Sequence, residues 1–468
     1  MYDQFEINSV DRKFDKTLAI VVGGGPAPGI NGVIRSAAIE GIKAGLEVIG
    51  IDEGYKWLAM EGSRRIERLT INKVSRIHYR GGSILRTSRV NPTKDPKMMA
   101  TVIQNLTELE VDYLISIGGD DTAFTASQLV KRAGEQIQVA HVPKTIDNDL
   151  PLPGQMVTFG FETAREAGAN LVMNIMEDAF TTKRWYIVVT MGRSAGHLAL
   201  GIGNAAGATL TIIGEEFRQT PIKFSHLCDI LEGAIIKRRL LGKDYGVAIL
   251  SEGIIESIDK ADLFAEADLE RDAHGNIRYA EIALAEMLKD SLRKRLKARG
   301  IDCTLVNKNI GYELRCQPPN SFDMDYTQNL GYIATRFLLS GGTGSLIAVR
   351  DGTPCVVPFE KIMDPDTGRI RTRRVQIRKE YYRMCREYMV RLEQSDFDDN
   401  KRLSRLARVA SCTPEEFRSH FDYLVQEDLG QTISEPPPEV ASDDENETED
   451  NIYEDHPSVV PSPIVRRS

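Results

Sequence analysis

Residues 18–31 read LAIVVGGGPAPGIN, and this stretch decides the fold class. The apolar, β-branched run Leu18–Val22 predicts a buried strand, the glycines and prolines after it predict a turn, and Ile30–Ala44 has the pattern of a helix. Glycines at such a turn let a phosphate group reach the backbone and the free N–H groups of the helix start. A tight turn without a ligand explains the stretch equally well. A Walker loop does not, because the GK[ST] ending is missing.

The same kind of apolar run recurs along the chain. Further strands are predicted at Leu46–Ile51, Val111–Ile117, Val139–Val142, Tyr186–Thr190, Tyr245–Leu250 and Ser345–Val349. Helical stretches such as Thr122–Gly134 lie between most of them. Residues 280–300 also have a strong helical period, and the charge-rich residues 370–427 resemble helices. Apolar strands that alternate with helices indicate parallel sheets covered on both faces, so the sequence predicts an α/β protein with doubly wound sheets.

Composition places the chain among globular proteins that bury a sizeable core, with 468 residues, 41% hydrophobic and 27% charged. Residues 433–468 contain ten acidic side chains against Arg466 and Arg467, so they contribute −8 to the net charge of −9 and leave about −1 for the rest. A near-neutral body lacks the basic face of a protein that binds nucleic acid. The acidic, proline-rich residues 433–468 predict a disordered tail.

The cysteines and the termini bear on the compartment. The six cysteines are scattered without a CxxC pair, which argues against a zinc site and suits a reducing compartment. The polar N-terminus has no apolar core of a signal peptide, and no run approaches the ~18 apolar residues of a spanning helix. We expect a cytoplasmic protein with no membrane partner.

Acidic and glycine residues follow the strand at Val111–Ile117. Parallel sheets bind ligands at the carboxyl ends of their strands, and the sequence there is Gly118-Gly119-Asp120-Asp121-Thr122. Two adjacent carboxylates next to phosphate need a cation, so the motif predicts a Mg²⁺ site. The alternative is that Asp121 or Thr122 only caps a helix.

The next strand is followed by PKTIDND, residues 143–149. One of its aspartates can accept a hydroxyl proton while Lys144 neutralises phosphoryl charge. The alternative is a loop that only exposes polar residues. MGRSAGH (191–197) and SEG (251–253) place further charged residues at strand ends. Together the motifs predict Mg²⁺-dependent phosphoryl transfer to an alcohol, with an anionic second substrate bound by arginine.

In this order and spacing, GGGPAPGIN, GGDD, PKTIDND, MGRSAGH, SEG and YELR (312–315) resemble the phosphofructokinase family from about Thr17 to Arg350, and more loosely to about residue 425. The resemblance implies two doubly wound α/β lobes with mostly parallel sheets and an active site in the cleft between them, at the carboxyl ends of the strands. The implied parts are an N-terminal arm (1–16), a phosphoryl-donor lobe (17–158, with a return segment near 314–380), a sugar-phosphate lobe (159–313), C-terminal helices (381–432) and the tail.

The reaction that the resemblance implies is phosphorylation of the 1-hydroxyl of fructose 6-phosphate. Asp147 would be the base, Thr145 would position the transferring group, Asp149 would support the loop, and Asp120 would hold Mg²⁺. The donor would contact Gly24, Arg89, Gly118 and Gly119. The sugar phosphate would contact Thr145, Ile146, Asp147, Met191, Gly192, Arg193, Glu252, Tyr312, Glu313, Leu314 and Arg315, with Arg184 reaching in from a neighbouring subunit of a homodimer or homotetramer.

Donor choice depends mainly on Asp121. Members of the family that use ATP typically have glycine there, which leaves room for the α-phosphate, whereas a carboxylate fills the space with negative charge. Lys144 can steady a pyrophosphate leaving group, and the pair is the pattern of the pyrophosphate-dependent members, which run reversibly. An ATP-dependent phosphofructokinase and a catalytically silent regulatory subunit remain alternatives. A lipid or dinucleotide kinase would not need PKTIDND together with MGR and YELR.

Overall fold

The computed structural model describes residues 15–62, 65–154, 156–193, 195–217, 221–266, 283–350 and 352–432. Of the predicted N-terminal arm only residues 15 and 16 are described, and the predicted tail, 433–468, lies outside the described residues. Within the described residues no helix is both long enough and apolar enough to cross a membrane.

In chain order the strands are β1 (Thr17–Val22), β2 (Glu47–Ile51), β3 (Ile66–Arg68), β4 (Val111–Gly118), β5 (Gln138–Pro143), β6 (Arg184–Thr190), β7 (Leu210–Ile212), β8 (Gly246–Ser251), β9 (Thr304–Ile310), β10 (Ser345–Arg350) and β11 (Thr353–Pro358). The helices are α1 (Ile30–Lys43), α2 (Ile71–Val74), α3 (Pro96–Glu108), α4 (Asp120–Ala133), α5 (Phe161–Thr182), α6 (His197–Ala206), α7 (Phe224–Leu240), α8 (Lys260–Glu266), α9 (Leu284–Ala298), α10 (Tyr312–Arg315), α11 (Ser321–Leu339), α12 (Phe359–Ile362), α13 (Glu380–Glu387), α14 (Gln394–Asp398), α15 (Asn400–Val409) and α16 (Pro414–Thr432).

The first sheet has seven strands among the described residues, in the order β11-β10-β5-β4-β1-β2-β3. All neighbours are parallel except the edge pairs β10–β11 and β2–β3. In β1, alternate residues serve opposite faces: Leu18, Ile20 and Val22 pack in a core with α1 and α11, whereas Ala19 and Val21 pack in a core with α3 and α4. Both faces of the sheet are therefore covered, as the apolar run predicts.

The second sheet has four parallel strands in the described part of the chain, in the order β7-β8-β6-β9. Its core includes residues of α5, α6, α7 and α9, and the C-terminal helices α15 and α16 pack on the same core through Leu406 and Phe417. The predicted fold class, α/β with mostly parallel sheets, is confirmed. The proposed boundaries of the two lobes stay a prediction.

The structure corrects one sequence expectation. Residues 370–427 are not helical throughout, because residues 371–379 run as an irregular segment before α13. We call residues 371–379 the crossing segment. Its backbone N–H groups at Arg373 and Val375 donate to Asp149 and Glu215 instead of to their own helix, at 2.7 and 3.0 Å. Contacts to distant parts of the chain thus replace the helical hydrogen bonds.

Candidate active site

The glycine loop after β1 lies against a lysine that follows β5. Gly24 has φ 81°, and its N–H donates to the carbonyl of Ser88 at 2.8 Å. A β-carbon on Gly24 would lie 3.4 Å from Lys144 Nζ, and Nζ donates to the carbonyl of Gly25. A positive φ and this close approach both favour glycine. The turn after β1 and the end of β5 therefore form one surface.

Lys144 is buried, with 4% of its surface exposed. Its N–H donates to the carbonyl of Gly118, the last residue of β4, at 2.8 Å, and Gly119 precedes α4 as its N-cap. Burial lowers the pKa of Lys144 to about 8, and the positive charge of Arg315 adds to the effect. The ends of β1, β4 and β5 thus gather glycine backbone and a cation, which suits phosphate.

Asp147 is half-buried, and its carboxylate has spare acceptor capacity. Its Oδ1 has no hydrogen-bond partner among the described residues, while the carboxylate accepts the backbone N–H of Arg193. Burial, followed by the charge of Asp149, raises the pKa of Asp147 to about 7, and Arg315 opposes the rise. A carboxylate with such a pKa and an unpaired oxygen is suited to accept a proton near neutral pH.

Thr145 holds the same loop together. Its Oγ1 accepts the backbone N–H of Asp147 at 3.0 Å, and its side chain also hydrogen-bonds to Asp149. Burial raises the pKa of Asp149, and the negative charge of Asp120 raises it further. Thr145 therefore fixes the spacing of the two aspartates, and the charge of Asp120 acts on Asp149 from the start of α4.

Asp120 and Asp121 occupy the first turn of α4 and are exposed. The N-cap of α4 is Gly119, and in the described residues no side chain caps this helix. Simple capping by Asp121 or Thr122 therefore does not explain GGDD. Asn91 Nδ2 donates to Asp121 Oδ1 at 3.3 Å, which orients this carboxylate.

The motifs after β6 and β8 contact each other. The carbonyl of Gly192 accepts the N–H of Gly253 at 3.1 Å, and the Gly192 backbone also hydrogen-bonds to the carboxylate of Glu252. Burial raises the pKa of Glu252, against the charge of Arg315. The Arg193 side chain is exposed, with Nε 3.9 Å from Glu256 Oε1. Because Asp147 accepts the Arg193 N–H, the carboxyl ends of both sheets meet at Asp147.

The four residues of YELR have different surroundings. The guanidinium of Arg315 lies beside the glycine loop, since a β-carbon on Gly25 would be 3.4 Å from its Cζ. Tyr312 is exposed, and its ring centre lies 5.0 Å from Arg315 Cζ. Glu313 Oε2 accepts the N–H of Gly311 at 3.0 Å, and Leu314 is buried in the core of the second sheet. Arg315 is thus the member of this motif whose charge acts on Asp147.

Other predicted site residues lie at the margin or away from the base. Ile146 is buried in the core, and the N–H of Met191 donates to the carbonyl of Ile310 at 2.9 Å. Arg89 is exposed and follows Ser88, which binds Gly24. Arg184 begins β6, whereas Met191 follows its end, so seven residues at about 3.3 Å place the two roughly 20 Å apart. Arg184 does not reach the site of its own chain.

A cavity of about 440 Å³ lies beside Arg193. Its lining includes Glu256, Glu215 and Arg374, as well as Ser251 and Gly253 on either side of Glu252. The cavity adjoins Arg193, which is predicted to bind the sugar phosphate, whereas Asp147 and Lys144 do not line it.

Two groups of carboxylates bear on metal binding. Asp120 offers an exposed oxygen donor, and its charge acts on Lys144 and Asp149, so the GGDD turn fits a hard cation. Asp229, Glu232 and His420 also lie within ligand distance of one another. There, however, Arg295 pairs with both carboxylates and Arg299 pairs with Glu232. These ion pairs already neutralise the second group.

Sequence reasoning missed Arg373. Its guanidinium donates to the carbonyl of Met156 at 2.6 Å and to that of Asn148 at 3.1 Å, next to Asp147 and Asp149. No local pattern in RTRRV indicates a partner 225 residues earlier in the chain.

The chain is similar to known proteins over most of its length. The chain matches the family described as Phosphofructokinase over residues 17–338. It is 51% identical to a protein of Thermotoga maritima (86% of this chain, 97% of the relative) and 48% identical to one of Naegleria fowleri (88% and 96%), both named pyrophosphate–fructose 6-phosphate 1-phosphotransferase. It is 32% identical to an ATP-dependent 6-phosphofructokinase of Trypanosoma brucei brucei (84% and 76%).

Solved structures share the fold. Phosphofructokinase from Pichia pastoris in the T-state matches with a TM-score of 0.61 at 24% identity, covering 76% of this chain and 36% of that one. Pyrophosphate-dependent phosphofructokinase from Marinobacter aquaeolei matches with a TM-score of 0.58 at 19% identity, covering 80% and 90%.

Proposed function

The chain belongs to the phosphofructokinase family, and on that premise we propose that it transfers a phosphoryl group from pyrophosphate to the 1-hydroxyl of fructose 6-phosphate. The products are fructose 1,6-bisphosphate and phosphate, and the reaction runs reversibly, in glycolysis or gluconeogenesis. The observation that carries transfer to an alcohol is the buried, unpartnered Oδ1 of Asp147. The choice of pyrophosphate is supported by the names of the two relatives near 50% identity and by Asp121.

Proton transfer is assigned to Asp147. The 1-hydroxyl donates its proton to Oδ1 as its oxygen bonds to phosphorus, and the bridging oxygen of pyrophosphate leaves with the bond electrons. The Arg193 N–H, which the carboxylate already accepts, holds Asp147 in place. Thr145 keeps the loop closed through the Asp147 N–H.

Lys144 and Arg315 supply positive charge where the transferred phosphoryl group passes. Both lie beside the glycine loop, and both act electrostatically on Asp147. Preorganised cations in a buried site stabilise charge that develops in the transition state. Gly24, Gly118, Gly119 and Arg89 are assigned to the donor.

Asp120 is proposed to hold Mg²⁺. The ion neutralises charge on the donor phosphates when bound. Asp121, next to it, is proposed to reject ATP by charge and by volume, with Asn91 orienting the carboxylate.

The sugar phosphate is assigned to Met191, Gly192, Arg193, Glu252, Tyr312 and Arg315. Glu252 is oriented by the Gly192 backbone, which suits an acceptor of sugar hydroxyl hydrogen bonds. We further propose a homodimer or homotetramer in which Arg184 serves a neighbouring site, because it begins β6 at the end opposite Met191. We also propose a cytoplasmic location, which the free thiols at all six cysteines support.

The experiment is a donor comparison. The purified chain is given fructose 6-phosphate and Mg²⁺ with either pyrophosphate or ATP, and fructose 1,6-bisphosphate is followed by a coupled assay. We expect turnover with pyrophosphate and little with ATP. Turnover with ATP alone would reject the donor assignment and leave the base and sugar site standing. No turnover with either donor would favour a regulatory subunit.

A further inference from the structure

We infer that Arg373 is a positioning residue that holds the catalytic loop, residues 143–149, from a segment far along the chain. This inference rests on the proposed function, since the loop carries the assigned base. Arg373 also lies beyond residue 338, where the match to the family ends.

The contacts use the whole guanidinium fork. Nε donates to the carbonyl of Asn148 at 3.1 Å, Nη1 donates to the carbonyl of Met156 at 2.6 Å, and Nη2 donates to Asn148 Oδ1. The backbone N–H of Arg373 adds a bond to the carbonyl of Asp149 at 2.7 Å. Only arginine among the side chains offers planar donors in such a fixed fork, so a lysine cannot reproduce this set.

Asn148, which accepts two hydrogen bonds from the Arg373 side chain, has an unusual backbone conformation. Asn148 has φ 54°, a left-handed conformation that asparagine adopts more readily than most residues. Its Oδ1 also accepts the N–H of Thr158 at 3.0 Å. Because Asn148 lies between Asp147 and Asp149, its backbone angles set the positions of both carboxylates. The hydrogen bonds from Arg373 therefore hold Asn148, the residue whose backbone angles orient Asp147.

The crossing segment that carries Arg373 is itself anchored on both sides. On one side the Arg371 N–H donates to the carbonyl of Ile362 at 3.0 Å. On the other, Glu215 Oε1 accepts the Val375 N–H at 3.0 Å and the Gly196 N–H at 2.9 Å. Glu215 thus ties the segment to the MGRSAGH loop. Arg373 is held between the catalytic loop and the loop that donates to Asp147.

Arg373 is half-buried, and a guanidinium withdrawn from water is costly to place unless its charge and donors are used. Burial lowers the pKa of Arg373 to about 10, and the negative charge of Asp149 opposes that change. The side chain therefore stays charged at neutral pH. An arginine that only stabilised the fold would change stability when removed but leave the turnover of folded enzyme intact. The turnover of folded enzyme without Arg373 therefore distinguishes a positioning residue from one that only stabilises the fold.

The test compares Arg373→Ala and Arg373→Lys with Arg378→Ala, a control at an exposed arginine of the same segment. We would measure kcat and KM with pyrophosphate and fructose 6-phosphate, together with the melting temperature. We expect kcat of Arg373→Ala to fall about 100-fold with each KM within about threefold, because small displacements of a reacting group cost about that much. Arg373→Lys should recover less than about a tenth of the lost rate, because the single ammonium nitrogen of lysine cannot reach the acceptors that three separate guanidinium nitrogens contact. Arg378→Ala should match the parent.

Rescue adds a readout that a merely stabilising residue would not change. Guanidinium ion at about 20 mM should raise the rate of Arg373→Ala at least about fivefold, because it can occupy the space left by the missing guanidinium group. KCl of equal ionic strength should not raise the rate. A normal kcat for folded Arg373→Ala, or a loss that follows only the folded fraction, would overturn the inference. If Arg373→Ala does not fold, Asn148→Gly replaces it, since glycine accepts the positive φ but lacks Oδ1. A normal kcat there would equally overturn it.

The activity of the parent enzyme distinguishes a failure of the proposed function from a failure of the role inferred for Arg373. Absence of turnover in the parent contradicts the proposed function, and this inference with it. Turnover in the parent with a normal Arg373→Ala kcat contradicts this inference alone.

Discussion

At the scale of single residues, the site depends on where charge is buried. Asp147 and Lys144 have pKa values displaced toward neutrality from opposite sides, one raised to about 7 and the other lowered to about 8. Burial is the largest cause of both shifts. The sequence predicts these residues because the motif follows a strand, but their pKa values also depend on charges far along the chain, such as that of Arg315.

The role proposed for Asp147 predicts how kcat/KM depends on pH. With the pKa of Asp147 raised to about 7, the carboxyl is protonated and unable to accept a proton below that pH. We expect kcat/KM for fructose 6-phosphate to fall about tenfold per pH unit below about pH 7, and to fall again above about pH 8, where Lys144 loses its positive charge. The measurement is kcat/KM from pH 5.5 to 8.5 at constant ionic strength. A plateau that persists to pH 5.5 would contradict the assignment, and Asp147→Asn should be nearly inactive at every pH.

Donor selectivity should follow the volume and charge of one side chain. We expect Asp121→Gly to raise kcat/KM for ATP about tenfold or more and to lower it for pyrophosphate, since a like charge and a steric block are both removed. Asp121→Asn is the matched variant, because it keeps the volume without the charge. If both variants gain activity with ATP, the charge of Asp121 is the barrier. If only Asp121→Gly gains it, the volume of the side chain is the barrier. If neither variant gains it, Asp121 does not exclude ATP.

At the scale of elements, strands with simple apolar patterns were predictable and those with mixed patterns were not. The seven predicted runs correspond to β1, β2, β4, β5, β6, β8 and β10. Four strands were missed: β3 and β7 have three residues each, β9 carries Asn and Lys, and β11 contains Pro354. Such strands owe their conformation to a neighbour in the sheet and not to their own side chains.

The start of α5 is another element whose stability comes from afar. Its N-cap is Gly160, and the acceptors come from Asp323 in α11, which is fully buried. Asp323 Oδ1 accepts the Gly160 N–H at 2.8 Å, and Oδ2 accepts the N–H and the hydroxyl of Thr163 at 2.9 and 2.5 Å. Removing the carboxylate would leave buried donors unpaired.

We therefore expect Asp323→Ala to lower the free energy of unfolding by about 3 kcal/mol, as expected for buried donors that lose a charged acceptor. Asp323→Asn, which keeps one acceptor oxygen, should cost less. Urea denaturation followed by circular dichroism measures both. Equal stability of the alanine variant and the parent would show that water replaces the carboxylate at no cost.

At the scale of the whole molecule, the sequence predicts an α/β chain, and the structure confirms this fold class. The binding sites at the strand ends stay a prediction. The crossing segment could not be predicted, because RTRRV has the charge density of a helix and its partners lie some 225 residues away. Arg184 belongs to this scale too, because its assigned role needs a second copy of the chain.

A mixing experiment tests the shared site. Arg184→Ala and Asp147→Asn should each be nearly inactive, yet after the two are dissociated and reassembled together the mixture should regain about a quarter of parental activity. In a symmetric dimer, half of randomly formed pairs are hybrids, and one of the two sites in each hybrid is intact. No regain after confirmed exchange of subunits would place Arg184 outside any active site.

The order of strands in the first sheet also has a consequence for biosynthesis. β5 ends at Pro143, but its partner β10 begins at Ser345, so about 200 residues must leave the ribosome before the edge of β5 can be paired. At about 5–20 residues per second, this edge stays open for roughly 10–40 s. An unpaired apolar strand is a site of aggregation. The nascent chain is therefore expected to need a chaperone that covers this edge until translation passes residue 350.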